Sequence, residues 1–123
     1  MAAALDGLRV LVTRPAAQAD GLVRAIEAAG GVARRFPALA ILPPRDPAAA
    51  AAALARLPDC ALAIATSANA VAGLGDWLAG HGGWPAGVAL AAIGAATARA
   101  AQAAGIEVAC TPQGAARSED LLA

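Results

Sequence analysis

The chain contains no lysine: its nine cations are all arginine, and they balance nine carboxylates to a formal net charge of zero. That absence excludes a Walker A loop, whose lysine reaches the nucleotide phosphates. The charge balance leaves no basic stripe to drive binding to nucleic acid or to an anionic membrane surface. Histidine is represented once, by His81, too few for a multi-histidine metal site. Neither of the two cysteines, Cys60 and Cys110, has a cysteine or histidine at ligand spacing, so no metal centre is expected. Two cysteines are also too few for a disulfide framework; both flank apolar strand-like runs and are expected to be buried, inert thiols. The start, Met1 to Asp6, has neither a positively charged n-region nor a sustained apolar h-region, so no secretory signal is read there and a cytoplasmic protein is expected. The longest uncharged stretch, Trp77 to Ala98, is broken by Gly80-His81-Gly82-Gly83-Trp84-Pro85, which argues against a transmembrane helix.

What is present is small and aliphatic. Alanine fills 41 of 123 positions, a composition that inflates mean hydropathy and reads as a genome-wide base bias more than a functional choice. A chain of this length buries about two-thirds of its unfolded surface as a single domain. The pattern is strand-then-helix throughout. Leu8 to Val12 is a β-branched run that Thr13-Arg14-Pro15 stops, with a hydroxyl and a proline suited to a helix start. A helix follows over residues 16–29, with Leu22, Val23 and Ile26 on one face and Gly30-Gly31 as the stop. Val32 to Phe36 reads as a strand, and Pro37 to Arg45 as an extended, proline-rich connector between two bodies.

Asp46-Pro47 is a cap followed by proline at the first helical position, predicting a helix to Leu57 with Leu54 and Leu57 inward. Cys60 to Ala65 is apolar without alternation, as in a strand covered on both faces. Val71, Leu74 and Leu78 give the next helix its apolar stripe. A strand over Val88 to Ile93, a helix over Ala95 to Ala104 and a strand over Ile106 to Cys110, ended by Thr111-Pro112, complete the run. Ser118-Glu119-Asp120 opens a helix with a capping hydroxyl and first-turn acids, and the chain ends one turn later. A single turn gains little against the cost of nucleation, so a truncated protein is expected.

The most informative segments are two small-hydroxyl turns, Thr66-Ser67-Ala68-Asn69 and Gly94-Ala95-Ala96-Thr97, where apolar strands hand over to helices. In a parallel sheet such turns sit at the carboxyl ends of strands, where free helix N–H groups and the positive dipole end attract anions. Thr13, Thr66, Ser67, Asn69, Thr97 and Ser118 each have an ordinary use as helix caps. Their number points further, because several such turns on one sheet edge would aim convergent donors into one cleft. Arg14 and Arg117 lie beside such turns, as fork-shaped carboxylate ligands or as solvated surface arginines.

Competing chemistries fit poorly. Thr66-Ser67-Ala68 lacks the glycines of a nucleophile elbow, and His81 follows too soon for the usual hydrolase order. His81-Gly82-Gly83 is superficially like an oxyanion loop, but a histidine beside flexible glycines reads as a solvated loop residue. Gly73-Leu74-Gly75 falls inside a helix, so no dinucleotide fingerprint exists.

The segments Val10-Leu11-Val12-Thr13-Arg14-Pro15, Phe36-Pro37-Ala38-Leu39-Ala40-Ile41, Thr66-Ser67-Ala68-Asn69-Ala70-Val71, Ala92-Ile93-Gly94-Ala95-Ala96-Thr97-Ala98 and Ser118-Glu119-Asp120-Leu121-Leu122 are, in order and spacing, those of the N-terminal half of uroporphyrinogen-III synthases, which the chain resembles over essentially its whole length. The resemblance implies an α/β protein with parallel-sheet, flavodoxin-like domains, a two-domain synthase fold of which only the N-terminal half is present. Residues 1–36 would be the first strand, helix and strand of a discontinuous domain, 37–46 the connector, and 47–123 most of the second domain.

By the same resemblance the substrate is the linear tetrapyrrole polycarboxylate hydroxymethylbilane. It loses its hydroxyl as water, inverts ring D through a spiro intermediate and closes to uroporphyrinogen III, an early step of haem, sirohaem and cobalamin formation. No cofactor and no metal are implied, and the full-length enzyme is expected to be a monomer. Thr66, Ser67, Asn69, Gly94 and Thr97 would line the cleft face of the second domain, Thr13 and Arg14 would come from the first, and Ser118 would contribute as a further substrate-binding residue. Thr97 is the candidate for assisting departure of the hydroxyl. With the opposing cleft wall absent, the 123 residues alone are expected to be inactive.

Two other readings use the same turns. One is a non-catalytic α/β anion-binding module, although no acidic cluster follows Leu8 to Val12 and no lysine exists for a response-regulator phosphoryl site. The other is a truncated remnant folded only by pairing with another copy, since an unpaired parallel sheet edge favours dimers or aggregation.

Overall fold

A computed structural model describes residues 3–112 and 117–122. The chain divides into two compact units, Met1–Pro43 and Pro44–Ala123.

In the first unit, β1 (Arg9–Val12) and β2 (Val32–Arg35) pair in parallel with Val10 opposite Ala33 and Val12 opposite Arg35. The crossover between them carries α1 (Asp20–Ala28), as parallel pairing requires. The helix begins later than the sequence indicates. Thr13-Arg14-Pro15 leads into a short 3-10 turn over Ala16–Gln18, and α1 starts behind Ala19 without a side-chain cap. Ala19, Val23 and Ile26 face Val12 in the core, whereas Leu22, expected on the same face, is exposed. Leu22 and Val23 lie 100° apart around the helix, and among the described residues the Ala19-Val23-Ile26 row is the one that meets the β1–β2 pair. Gly30 ends the helix at φ 84°, and the amide of Gly31 reaches back to the Ile26 carbonyl at 2.9 Å.

The second unit holds α2 (Pro47–Ala55), β3 (Leu62–Ala65), α3 (Ala68–Ala79), β4 (Ala89–Ala92) and α4 (Ala95–Ala103). Asp46 caps α2 by accepting from the Ala49 amide at 2.9 Å, and Pro47 occupies the first helical position, where its missing N–H costs nothing. β3 and β4 pair in parallel, Ala63 opposite Leu90 and Ala65 opposite Ala92. On this face α3 and α4 pack Val71, Leu78 and Ala101 against Ala65 and Leu90, with Leu57, Val88 and Ile106 completing the core. A fully buried side chain the size of Leu90 is worth about 2–3 kcal/mol of apolar transfer.

Several sequence expectations need correcting. The strand predicted for Ile106 to Cys110 is reduced to one parallel bridge, Ala91 opposite Cys110, flanked by bonds from Ala109 N to Leu90 O (2.8 Å) and Ala92 N to Cys110 O (3.0 Å). Ile106 turns into the core directly after Gly105, so only the end of the segment reaches β4. The strand predicted as covered on both faces is covered on one: Leu62 and Ile64 are 48% and 53% exposed, because α3 and α4 both pack on the Ala65 side. Both cysteines are exposed, not buried. Cys60 lies in the turn before β3, its thiol donating to the Arg56 carbonyl at 3.7 Å, and Cys110 lies where the chain leaves its single bridge. Leu57 is buried as expected, but from a 3-10 turn beyond the end of α2.

His81 is exposed in its glycine loop, yet held. Its ring stacks on Trp77 with centroids 4.1 Å apart and planes 7° from parallel, and Nδ1 lies 2.7 Å from the Trp77 carbonyl. No helix among the described residues is long and apolar enough to cross a membrane.

Candidate functional site

Thr66-Ser67 follows β3, Ile93-Gly94 follows β4, and the two strands are parallel neighbours, so both turns lie on the same carboxyl edge of the sheet. The amide of Ile93 donates to the Ala65 carbonyl at 2.9 Å, extending the ladder to the start of the turns. From this edge α3 and α4 run away side by side. Each helix therefore presents its N-terminus, with its unsatisfied amides and positive dipole end, at one place.

The two N-termini are finished differently. Ser67 caps α3: its hydroxyl accepts from the Ala70 amide at 3.1 Å, and its carbonyl takes the first helical bond from Val71 at 3.2 Å. Asn69 stands in that first turn, half-buried. Thr66, immediately before the cap, is exposed. The N-cap of α4 is Gly94, at φ 86° and ψ 154°, a conformation essentially reserved for glycine, and no side chain caps this helix. The first bond of α4 runs from Ala98 N to Gly94 O at 3.1 Å, so the amides of Ala95, Ala96 and Thr97 precede it and are the donors an anion would meet.

Thr97 is the third residue of α4 and is 4% exposed, a buried hydroxyl in the first turn. Four predicted residues of the second unit, Thr66, Ser67, Asn69 and Gly94, thus join Thr97 at one sheet edge. Ser118 does not cap by the mechanism its sequence indicates. The 3-10 turn Ser118–Leu122 is closed instead by Asp120, whose carboxylate accepts from the Arg117 amide at 3.1 Å and pairs with its guanidinium at 3.3 Å. Arg117 is therefore engaged by Asp120 and is not a free carboxylate ligand.

In the first unit Thr13 and Arg14 follow the carboxyl end of β1, both exposed. The Thr13 carbonyl accepts from Ala38 N at 3.1 Å, and the ion pair found among the described residues of this unit, Arg35 with Asp20 at 2.7 Å, does not involve Arg14.

Sequence reasoning placed free helix N–H groups at the Gly94-Ala95-Ala96-Thr97 turn but did not foresee that α4 has no side-chain cap, nor that Thr111 stands near this edge. The backbone donors carry no side-chain signal; the clue was a glycine standing where a Ser, Thr, Asp or Asn cap is usual. Thr111, read only as a terminator, follows Cys110 and so stands next along the edge from β4.

Residues 20–123 match the family described as uroporphyrinogen-III synthase HemD. The chain belongs to the uroporphyrinogen-III synthase family. Among solved structures it is similar to uroporphyrinogen III synthase from the extremely thermophilic bacterium Thermus thermophilus, with a TM-score of 0.54 and 24% identity over 94% of this chain and 46% of that one. A second structure of the Thermus thermophilus synthase aligns with a TM-score of 0.51 and 21% identity, again over 94% and 46%. At these identities the likeness is one of fold, and the family's mixed α/β architecture with short parallel strands is what the chain shares with them. The chain spans about half the length of these solved synthases. No curated protein matches it.

Proposed function

We propose that this chain is the N-terminal half of a uroporphyrinogen-III synthase and supplies one wall of its substrate cleft. The substrate would be hydroxymethylbilane, a linear tetrapyrrole carrying several carboxylates, converted to uroporphyrinogen III with loss of water and inversion of ring D. The observation that carries this reading is the pair of helix N-termini at Thr66-Ser67 and Gly94-Thr97, side by side on one sheet edge in a member of this family.

The chemistry asks mainly for shape. The C–O bond of the hydroxymethyl group breaks, a donor delivers a proton to the departing oxygen, and the resulting electrophilic carbon is attacked by the substituted position of the last ring. A flexible chain of four pyrroles reaches that geometry rarely in water, and holding it folded converts lost conformational freedom into rate. Carboxylates placed at the amides of Ala95, Ala96 and Thr97 and at the N-terminus of α3 would be held by charge-assisted bonds. Thr97 would donate to the leaving hydroxyl or hold a carboxylate beside it, and Thr66, Ser67 and Asn69 would add donors from the neighbouring turn. Thr13 and Arg14 would serve from the first unit, and Ser118 from the end of the second. The reaction would need no cofactor and would run in the cytoplasm in a monomeric full-length enzyme.

The 123 residues would bind without turning over, because half of the cleft would be missing. The test is an assay with hydroxymethylbilane of the chain alone and of the chain joined to the remaining half of a family member. Type III product from the joined protein and none from the chain alone is the expected result. Failure of the joined protein, once shown to be folded, would overturn the reading, and turnover by the chain alone would overturn the half-cleft argument.

A further inference from the structure

The helix N-termini on the carboxyl edge differ in how much of their donor capacity is already spent. In α3 the Ser67 hydroxyl takes the Ala70 amide at 3.1 Å. In α4 the N-cap is Gly94, no side chain caps the helix, and the amides of Ala95, Ala96 and Thr97 precede its first bond. Free amides at a helix end are commonplace, and water satisfies them. Thr97 adds an independent observation. It is 4% exposed, and among the described residues its hydroxyl has no hydrogen-bond partner. Its oxygen is nevertheless open to solvent, unlike the unpaired indole nitrogen of Trp77. Cα–Cβ bonds in a helix tilt toward its N-terminus, so at the third position of α4 this hydroxyl leans toward the free amides. A hydroxyl is costly to bury unpaired, and one left open beside three free amides calls for an acceptor that they can share.

We propose that the N-terminus of α4 binds a free tetrahedral oxyanion, inorganic phosphate, and that phosphate there competes with a carboxylate of the substrate. The anion site follows from Gly94 and Thr97; the competition rests on the synthase reading, in which this edge faces a cleft open to solutes. Three N–H groups and one O–H are four donors. A tetrahedral oxyanion offers them more oxygens than a carboxylate does, and near neutral pH phosphate brings more than one negative charge to the positive end of the helix dipole. No carboxylate opposes it in the two turns, since Thr66 to Val71 and Ile93 to Ala98 carry no charged side chain. The same stretches hold no cation either, so binding by N–H and O–H donors alone is weak, with Kd on the order of 1–10 mM. Phosphate at such concentrations then sets how much of the edge is free for substrate.

The test follows the amide resonances of the isotope-labelled chain during titration with inorganic phosphate at constant ionic strength, with acetate and chloride as comparison anions. Where the chain alone is unfolded, the chain joined to the remaining half of a family member is titrated instead. Saturable shifts centred on Ala95, Ala96 and Thr97 are expected, with phosphate bound at least about threefold more tightly than acetate. Thr97→Val should weaken phosphate about tenfold. Ala96→Asp, at an exposed position, sets a fixed carboxylate at the same helix end and should abolish the saturable shift while keeping or raising the melting temperature. In the joined synthase phosphate should raise KM for hydroxymethylbilane and leave kcat unchanged. Shifts that do not saturate or that centre elsewhere, acetate bound as tightly as phosphate, or unaltered binding in folded Ala96→Asp overturn the anion site. Turnover that phosphate does not inhibit overturns the competition. Phosphate bound at Ala95 to Thr97 in a folded, joined protein that makes no type III product upholds the site and removes the synthase reading instead.

Discussion

The Ile93 amide donates to the Ala65 carbonyl at 2.9 Å, and this bond aligns the two strand-to-helix turns of the second unit. Because Ala65 is the last residue of β3 and Ile93 the first after β4, the ladder continues up to the turns and then stops. The chain beyond it is free to adopt the cap geometries that leave helix amides facing outward.

Gly94 is the least replaceable residue of that edge. At φ 86° and ψ 154° a side chain is strained, so Gly94→Ala is expected to lower stability by about 1–3 kcal/mol. Denaturant titration checks this. In a complete synthase the same substitution should also raise KM, because the amides of Ala95 to Thr97 would move.

Ser67 separates capping from binding. Ser67→Ala removes the bond to the Ala70 amide and should cost about 1 kcal/mol. Ser67→Asp keeps a capping oxygen and suits the helix dipole, so the thermal midpoint should stay near wild type. Its negative charge opposes a polycarboxylate, so affinity for hydroxymethylbilane measured by titration should fall. Equal affinity in Ser67→Asp would show that no carboxylate binds at α3.

Thr97→Val removes a hydroxyl while keeping volume at a buried position. If Thr97 assists departure of the substrate hydroxyl, kcat of a complete synthase falls by about 100-fold or more, with KM little changed. A packing role would instead show as a lower melting temperature with kcat retained.

Leu90 is 1% exposed at the centre of the second core. Leu90→Ala should cost about 2–5 kcal/mol through lost transfer energy and the cavity left behind. Val12, Val23 and Ile26 form a separate cluster in the first unit. Hydrogen exchange should therefore show the loss in α3, α4 and β4 and leave α1 unaffected.

His81→Ala removes both the stack on Trp77 and the contact with the Trp77 carbonyl in the last turn of α3. Tryptophan fluorescence should change in intensity and position, with a stability loss of about 1 kcal/mol or less. The carboxyl-edge site is formed by the other end of α3, so substrate affinity should be unaltered.

The order of strands and helices was legible because it rests on local pattern. Leu8 to Val12 is a β-branched run and Val88 to Ile93 an apolar run of strand length, Val71, Leu74 and Leu78 repeat at helical spacing, and Asp46-Pro47 carries its own capping chemistry. Ser67 was legible as a cap for the same reason. The family followed from segments whose order survives at low identity, and the match over residues 20–123 bears it out.

Burial was where the sequence misled. Cys60, Cys110, Leu62, Ile64 and Leu22 all look like core residues, and all are exposed. Hydrophobicity says what a side chain gains from a partner, not whether one is present: Leu22 lies outside the Ala19-Val23-Ile26 row, Leu62 and Ile64 alternate with the core-facing Ala63 and Ala65, and both cysteines stand outside the named helices and strands.

The sequence by itself determined the alternation of strand and helix, the caps at Asp46 and Ser67, the stop at Gly30-Gly31 and the family, because each depends on residues close together in the chain. Only the tertiary structure decided that the turns after β3 and β4 share one edge, that Gly94 leaves α4 without a side-chain cap, and that Leu62 and Ile64 are exposed. Those depend on which strands become neighbours and which faces the helices choose, and that is fixed by packing across long sequence separations.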